Sequence, residues 1–390
     1  MKIKYTIGLL ICVFNFVSGQ FNFDSIISKS TLLKELCSNS KKYRIQIIYT
    51  PVKNGVPSDK SYIFSQNPEY IYCASLVKLP ISILAVEKLN ELHLPINATM
   101  MTDSCIKCHR TYLIDTTSKS KKPSVEHYIK KMFLVSDNEA YSRVYEFVGV
   151  DEVHQKLKQY GYPDTRIVNR YDGSCSGLDN GITNPVKFYS TNGDLIYTQP
   201  CKYAKLQFSH PLGQVSVGKA YYNSKNKLIN QPKEFTFMNH MPLNEIHAML
   251  QELIYDQLKR FKLSKEQRQF LLDYLTMLPS ESKLPLYNPK KFYDSYKKYL
   301  IYGDAKKIKN YNVKVTNIVG QSYGFMVDCA RIKDDKNEIE FMLTASIYTN
   351  ADEVINDGKY EYNIVALPFF AELGKCFYNY ELTHKLLIKE

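Results

Sequence analysis

The stretch from Leu76 to Leu92 constrains this chain more than any other. Read at 3.6 residues per turn it is apolar on nearly all sides, which predicts a helix wrapped by protein rather than one lying on a surface. Pro80 falls within its first turn or just beyond, where a missing amide N–H costs little. Such a helix needs neighbours on every side. With 390 residues, 44% hydrophobic and 23% charged, the chain has the length and composition to supply them. Those values fit one large domain or two ordinary ones, and they exclude disorder, collagen and coiled coil.

The neighbours can be read along the sequence. Tyr43 to Tyr49 alternates, Val52 to Pro57 is turn-like, and Tyr62 to Ile71 reads as a second strand, together predicting a hairpin. From about Pro123 to Gly149 two helical patterns flank Ser136-Asp137-Asn138, with Ser124 as N-cap of the first and Gly149 as C′ residue of the second. Pro242 to Met277 reads as two more helices, and Lys290 to Tyr302, basic and aromatic, as a third. Val313 to Val319, Gly324 to Ile332 and Glu338 to Tyr348 read as consecutive strands, and Ile364 to Leu382 as a closing helix. Strands at both ends and helices between them predict an α/β (α+β) architecture. Its antiparallel sheet lobe comprises residues 20–74 plus 310–390, with an all-helical lobe inserted over 75–309. Residues 191–241, rich in Tyr, Asn and Pro, read as an insertion within that lobe.

Lys2 and Lys4 precede an apolar run from Ile7 to Val17, and Val17-Ser18-Gly19-Gln20 offers the small residues that a signal peptidase reads. Residues 1–19 are therefore predicted to be a signal peptide cleaved near Gly19/Gln20, leaving a periplasmic or secreted protein. The run is too short to span a bilayer, and no later stretch reaches roughly eighteen apolar residues. Leu10-Ile11 before Cys12 lacks the small residue that lipoprotein processing needs. Beyond Cys12 stand Cys37, Cys73, Cys105, Cys108, Cys175, Cys201, Cys329 and Cys376. Outside the cytoplasm some of them pair, but eight cysteines admit on the order of a hundred connectivities, and spacing does not choose. Cys105-Ile106-Lys107-Cys108-His109 matches the haem-attachment string C-x-x-C-H. With no distal ligand or haem-wrapping fold nearby, a disulfide is the favoured reading. The formal charge is +12, and its basic residues are spread along the chain, so nothing directs it to nucleic acid.

Ser75-Leu76-Val77-Lys78 lies where the hairpin gives way to the apolar helix. Positions i and i+3 share a helix face, so Lys78 can sit beside the Ser75 hydroxyl. A lysine buried there loses hydration, its pKa falls, and it can take the serine proton. The same S-x-x-K spacing begins at Ser38, Ser104, Ser118, Ser216, Ser224, Ser280 and Ser295. None of those stands at the join of a strand and a wholly apolar helix, and they read as helix caps with exposed lysines. Ser136-Asp137-Asn138 occurs once, 61 residues after Ser75, in a break between two helices. Alone it reads as an N-cap. With Ser75 ahead of it, order, spacing and context point to one cleft.

On these two motifs the chain resembles the serine β-lactamases of class A and the related penicillin-binding proteins and serine hydrolases. Their signature is S-x-x-K, then S-D-N roughly sixty residues on, then K-T-G on a late strand. The resemblance runs from about Tyr43 to Tyr380, with 191–241 as extra sequence. Over Phe133 to Gly149 and Asn356 to Tyr380 the chain looks like the large β-lactamase-like hydrolases of Bacteroidetes. The resemblance implies Ser75 as nucleophile, Lys78 as its base, Ser136 as proton carrier to the leaving group, and Asn138 bonded to Lys78 or the substrate amide. It places the oxyanion between the backbone N–H groups of Ser75 and Gln321, with substrate approaching along Gly320 and Ser322.

Two departures from the family pattern bear on activity. Where K-T-G is expected the chain has Ile318-Val319-Gly320, which lacks both the cation and the hydroxyl that hold a substrate carboxylate. Lys314 shares that strand face but lies about 13 Å upstream at strand rise. Losing such an anchor removes about 1.5–3 kcal/mol, which alters substrate choice without abolishing chemistry. The loop from Arg170 to Pro185 holds Asp172 and Asp179 but no glutamate to activate a deacylating water. Asp172 is the better substitute, and it also reads as a turn residue beside Gly173.

Gly320-Gln321-Ser322-Tyr323-Gly324 also matches the G-x-S-x-G elbow, with His384 downstream, but strand-like sequence follows where the elbow requires a helix. The histidines are scattered, without H-E-x-x-H or paired C-x-x-C motifs at zinc spacing, so no metal or cofactor is expected. The resemblance thus implies an exported, monomeric serine hydrolase or acyltransferase acting on a β-lactam, a peptidoglycan peptide or an ester. The alternatives are a penicillin-binding or substrate-sensing protein that acylates without turnover, and a non-catalytic envelope scaffold that offers 191–241 to a partner.

Overall fold

The computed structural model describes residues 21–389 apart from 66–68, 174, 176, 206, 309 and 310. The expected signal segment, its cleavage site and Cys12 lie outside the described residues. An antiparallel sheet forms the frame. Val313–Ser322 pairs with Phe325–Asp334, which pairs with Ile339–Tyr348, which pairs in turn with the amino-terminal strand Gln46–Lys53. Val56–Pro57 and Tyr62–Phe64 fold back onto that strand. Register is held by the two-residue side-chain period, which a one-residue slip would invert. Ile47, Tyr49, Val315, Val319 and Met326 face the closing helix Leu367–Lys389. Ile48, Ile318, Phe325 and Val327 face the inserted lobe.

The lobe is organised around the helix Lys78–Glu91, in which every residue from Lys78 to Leu89 is buried. Helices Val125–Val135, Asn138–Val148, Leu243–Tyr255 and Lys265–Thr276 surround it. Ser124 caps the first of these by accepting from the His127 amide at 3.2 Å. Short strands accompany the expected helices: Thr99–Thr102, Val186–Tyr189 and Leu195–Gln199 form a small sheet. Within the insertion, Ala220–Tyr222 pairs in parallel with Val354–Ile355, tying it to the carboxyl-terminal part.

Two local expectations are corrected. The second hairpin strand stops at Phe64. The segment 290–302 forms no regular helix: Tyr299–Tyr302 is one short turn with non-helical backbone at Leu300 and Ile301, and residues 288–298 run as successive turns. Tertiary anchoring overrides helix propensity there: the Lys297 and Lys298 ammonium groups reach four carbonyls on three other stretches of chain. Two disulfides close long loops, Cys105–Cys201 and Cys108–Cys175. No helix among the described residues is long and apolar enough to cross a membrane.

Candidate active site

The site begins at a strained turn. Tyr72-Cys73 leads into the 3-10 turn Ala74–Val77, from which the central helix continues at Lys78. Ala74 has φ 44°, a left-handed conformation that a residue with a Cβ rarely adopts. Its carbonyl accepts from the Tyr171 hydroxyl at 2.7 Å. Beside the turn runs Val313–Ser322, so close that a Cβ on Gly320 would stand 2.4 Å from the Cys73 carbonyl oxygen. Only glycine admits this approach, and it sets Gln321 beside the Ser75 turn. Tyr323 (φ 54°) and Gly324 (φ 85°) then form a tight turn into the strand Phe325–Asp334, so the G-x-S-x-G string is a hairpin and no elbow forms.

Ser136 comes from the other wall. It closes Val125–Val135 in the left-handed conformation (φ 61°, ψ 38°), and Asp137 caps the next helix by accepting from the Ala140 amide at 2.8 Å. This reversal brings Ser136 and Asn138 onto Lys78. The Lys78 Nζ lies 2.7 Å from Ser75 Oγ, 3.0 Å from Ser136 Oγ, 2.9 Å from the Ser136 carbonyl and 2.8 Å from Asn138 Oδ1. Ser136 Oγ donates to Ser75 Oγ at 2.6 Å. Four oxygens surround an amine that has three protons when charged and two plus a lone pair when neutral. The neutral form fits this set with its lone pair turned to a serine hydroxyl.

Electrostatics favour that form. Lys78 is fully buried, and burial holds its amine well below the ordinary lysine value. The nearby Lys297 ammonium pushes the same way, and Asp137 opposes both. The Tyr141 and Tyr171 rings wall the amine, with centroids 5.8 and 5.6 Å away. Ser75, Ser136, Asn138, Lys297 and Gln321 line one cavity of about 410 Å³. A larger cavity of about 560 Å³ lies against Ile48, Ile71 and Leu243, and no serine–lysine pair lines it.

The other sequence-predicted residues fall as follows. Gly320 and Ser322 flank Gln321 on its strand and stand outside the cavity lining. Asp172 is also outside it, its buried carboxylate paired with the Arg143 guanidinium. Arg143 itself is fully buried and also meets Glu139 and Glu146 at 2.8 Å each. Burial pushes the Glu146 carboxyl up to about 7. Lys297, Tyr296 and Tyr299 line the cavity and were not singled out from sequence. Their segment shows only a basic and aromatic composition, which carries no spacing signal. Among the described residues, the His/Cys/Asp/Glu group at ligand spacing is Cys108, His109 and Cys175, and its two sulfurs are bonded to each other. That donor set does not fit a metal while the disulfide is intact.

A sheet built from both termini, an inserted lobe, and a serine paired with a buried lysine at the junction together define the fold of serine β-lactamases. The chain belongs to the beta-lactamase enzyme family, whose model matches residues 30–359. A beta lactamase from Xanthomonas campestris pv. campestris has the same fold at 10% identity, over 89% of this chain and 96% of that one, with a TM-score of 0.50. A class A beta-lactamase from Clostridium kluyveri aligns at 15% identity over 88% and 97% of the two chains, with a TM-score of 0.48. No curated protein matches this sequence.

Proposed function

We propose that this protein is an exported serine hydrolase or acyltransferase working through an acyl-Ser75 intermediate, with altered or weak β-lactam specificity. The contact set around the Lys78 amine carries this reading. Neutral Lys78 takes the Ser75 proton while Ser75 Oγ bonds to the substrate carbonyl carbon, and the resulting oxyanion lies toward the backbone N–H groups of Ser75 and Gln321. The Lys78 ammonium then returns a proton to Ser136 Oγ, whose own proton passes to the leaving nitrogen or oxygen as its bond to the carbonyl carbon breaks. The two described disulfides support an oxidising compartment. The same reading takes residues 20–74 with 310–390 as the sheet lobe and 75–309 as the second lobe.

One observation favours slow turnover. Asp172, the carboxylate proposed for deacylation, is paired with Arg143 away from the cavity lining. A protein that acylates and holds its adduct, as a penicillin-binding protein does, is therefore the second reading. The test is intact mass after incubation with penicillins, cephalosporins and nitrocefin, beside Ser75→Ala. A stable adduct on wild type alone supports acylation with slow release, and nitrocefin colour without adduct, lost in Ser75→Ala, supports turnover. Adducts on both proteins would sink the assignment of Ser75.

A further inference from the structure

The larger cavity, of about 560 Å³, shares no lining residue with the serine site. Ile48 and Ile63 come to it from the sheet, Ile71 from the segment that leads to Ser75, Leu212 from the 191–241 insertion, and Leu243 from the first turn of its helix. Its size and apolar walls suit a small organic molecule. Two polar groups on the lining have nothing to bond. Tyr70 and His240 are 8% and 4% exposed, and neither the Tyr70 hydroxyl nor His240 Nδ1 has a hydrogen-bond partner in the protein. Their rings stack with centroids 5.8 Å apart and planes 18° from parallel. Both backbones are tied: Arg44 donates to the Tyr70 carbonyl at 3.3 Å, and His240 exchanges two 2.8 Å bonds with the Arg166 backbone. Leaving such atoms unmet in the interior carries a desolvation cost that a ligand's hydrogen bond recovers. The charged side chains on the lining are both acids, Glu69 and Asp164, and among the described residues no lysine or arginine joins them. Glu69 meets the Arg44 guanidinium at 3.4 Å. Burial, with His210 and Arg166 nearby, pulls the His240 imidazole down to about 3, so it is neutral at pH 7.

We propose that this cavity is a second ligand site, taking an uncharged small molecule with a compact apolar body and one hydroxyl group, an alcohol or a phenol. The site goes beyond the acyl-Ser75 reading and does not depend on it. The apolar body lies against Ile48, Ile71, Leu212 and Leu243, and the hydroxyl lies between Tyr70 and His240. A hydroxyl both donates and accepts, so it meets the phenol oxygen of Tyr70 and Nδ1 of a neutral imidazole together. An ether oxygen only accepts, and satisfies one of the two. A carboxylate enters beside two acids with no cation on the lining to receive it.

The experiment is isothermal titration calorimetry of the whole protein at pH 7 with 4-propylphenol, 4-propylanisole and 4-propylbenzoate. The phenol should bind saturably at one site, and the ether and the carboxylate about tenfold or more weaker. Tyr70→Phe keeps the ring and removes the hydroxyl, so phenol affinity should fall about tenfold. Its Tm should not fall, because the hydroxyl has no partner in the protein to lose. A tyrosine with only a structural role would give the reverse, a lower Tm with affinity unchanged. Leu212→Ser alters a wall residue that is 54% exposed, so the variant folds, and it should weaken the phenol several-fold. No saturable binding of 4-propylphenol up to its solubility limit, equal wild-type affinities for phenol and ether, or a phenol affinity unchanged in either variant overturns the proposal.

Discussion

Gly320→Ala is a sharp test of how the strand sets the oxyanion site. The added Cβ would lie 2.4 Å from the Cys73 carbonyl oxygen and 3.3 Å from Ala74 Cβ. Ordinary contact begins near 3.5 Å, so strand and turn must separate by roughly 1 Å. Neither side yields easily, because Gly320 sits within a ten-residue ladder to Phe325–Asp334 and Cys73 is wholly buried. Overpacking of this kind costs about 1–3 kcal/mol, a fall of a few degrees in Tm. The same displacement pulls the Gln321 amide away from Ser75, and a misplacement of about 1 Å lowers the rate about a hundredfold. Intact-mass kinetics with an alkyl fluorophosphonate measure the rate, and differential scanning fluorimetry measures Tm. An alanine variant that labels at the wild-type rate with an unchanged Tm would refute the close approach as the source of the oxyanion geometry.

Other consequences can be checked in the same assays. Lys78→Arg supplies a permanent cation with no lone pair, and acylation should fall about 10²- to 10⁴-fold; near-wild-type labelling would remove Lys78 as the base. Because burial pulls the Lys78 amine well below the ordinary lysine value, acylation should level off toward alkaline pH and fall as the pH drops and the amine protonates, on a limb displaced to lower pH than an ordinary lysine would give. A rate that instead rises steeply above pH 9 would mean an ordinary lysine. Arg143→Met strands Asp172, Glu139 and Glu146 without their shared guanidinium, and breaking buried pairs costs about 3–5 kcal/mol, so Tm should drop sharply, an effect that an unchanged melting curve would exclude. Reducing the disulfides, whose cysteines are 96 and 67 residues apart, should cost roughly 2–4 kcal/mol each and lower Tm; a melting curve indifferent to dithiothreitol would contradict the pairing.

The two motifs were legible because their chemistry is local. Ser75 and Lys78 share one turn of a helix whose burial is written in its own apolar run, and Ser136-Asp137-Asn138 marks a helix break by composition. That one sheet joins strands from both ends of the chain was equally readable, since three consecutive strand-like segments late in the sequence need a partner and the Gln46–Lys53 strand provides it. What sequence hid was set by distant contacts. Lys297 sits in a tyrosine-rich segment that reads as a helix, and it is placed by carbonyls more than 160 residues away along the chain. The pairing of Asp172 with Arg143 joins two elements 29 residues apart with no motif between them. Cysteine spacing likewise carried no signal for Cys108 meeting Cys175 across the Arg170–Pro185 loop.

The most direct measurement is tandem mass spectrometry of a tryptic digest after labelling the folded protein with an alkyl fluorophosphonate. The account predicts the phosphonyl group on Ser75, within the peptide Ser61–Lys78, and no labelling of that peptide in Ser75→Ala. Modification at Ser136 or Ser322 instead, or none on a protein shown to be folded, would contradict it.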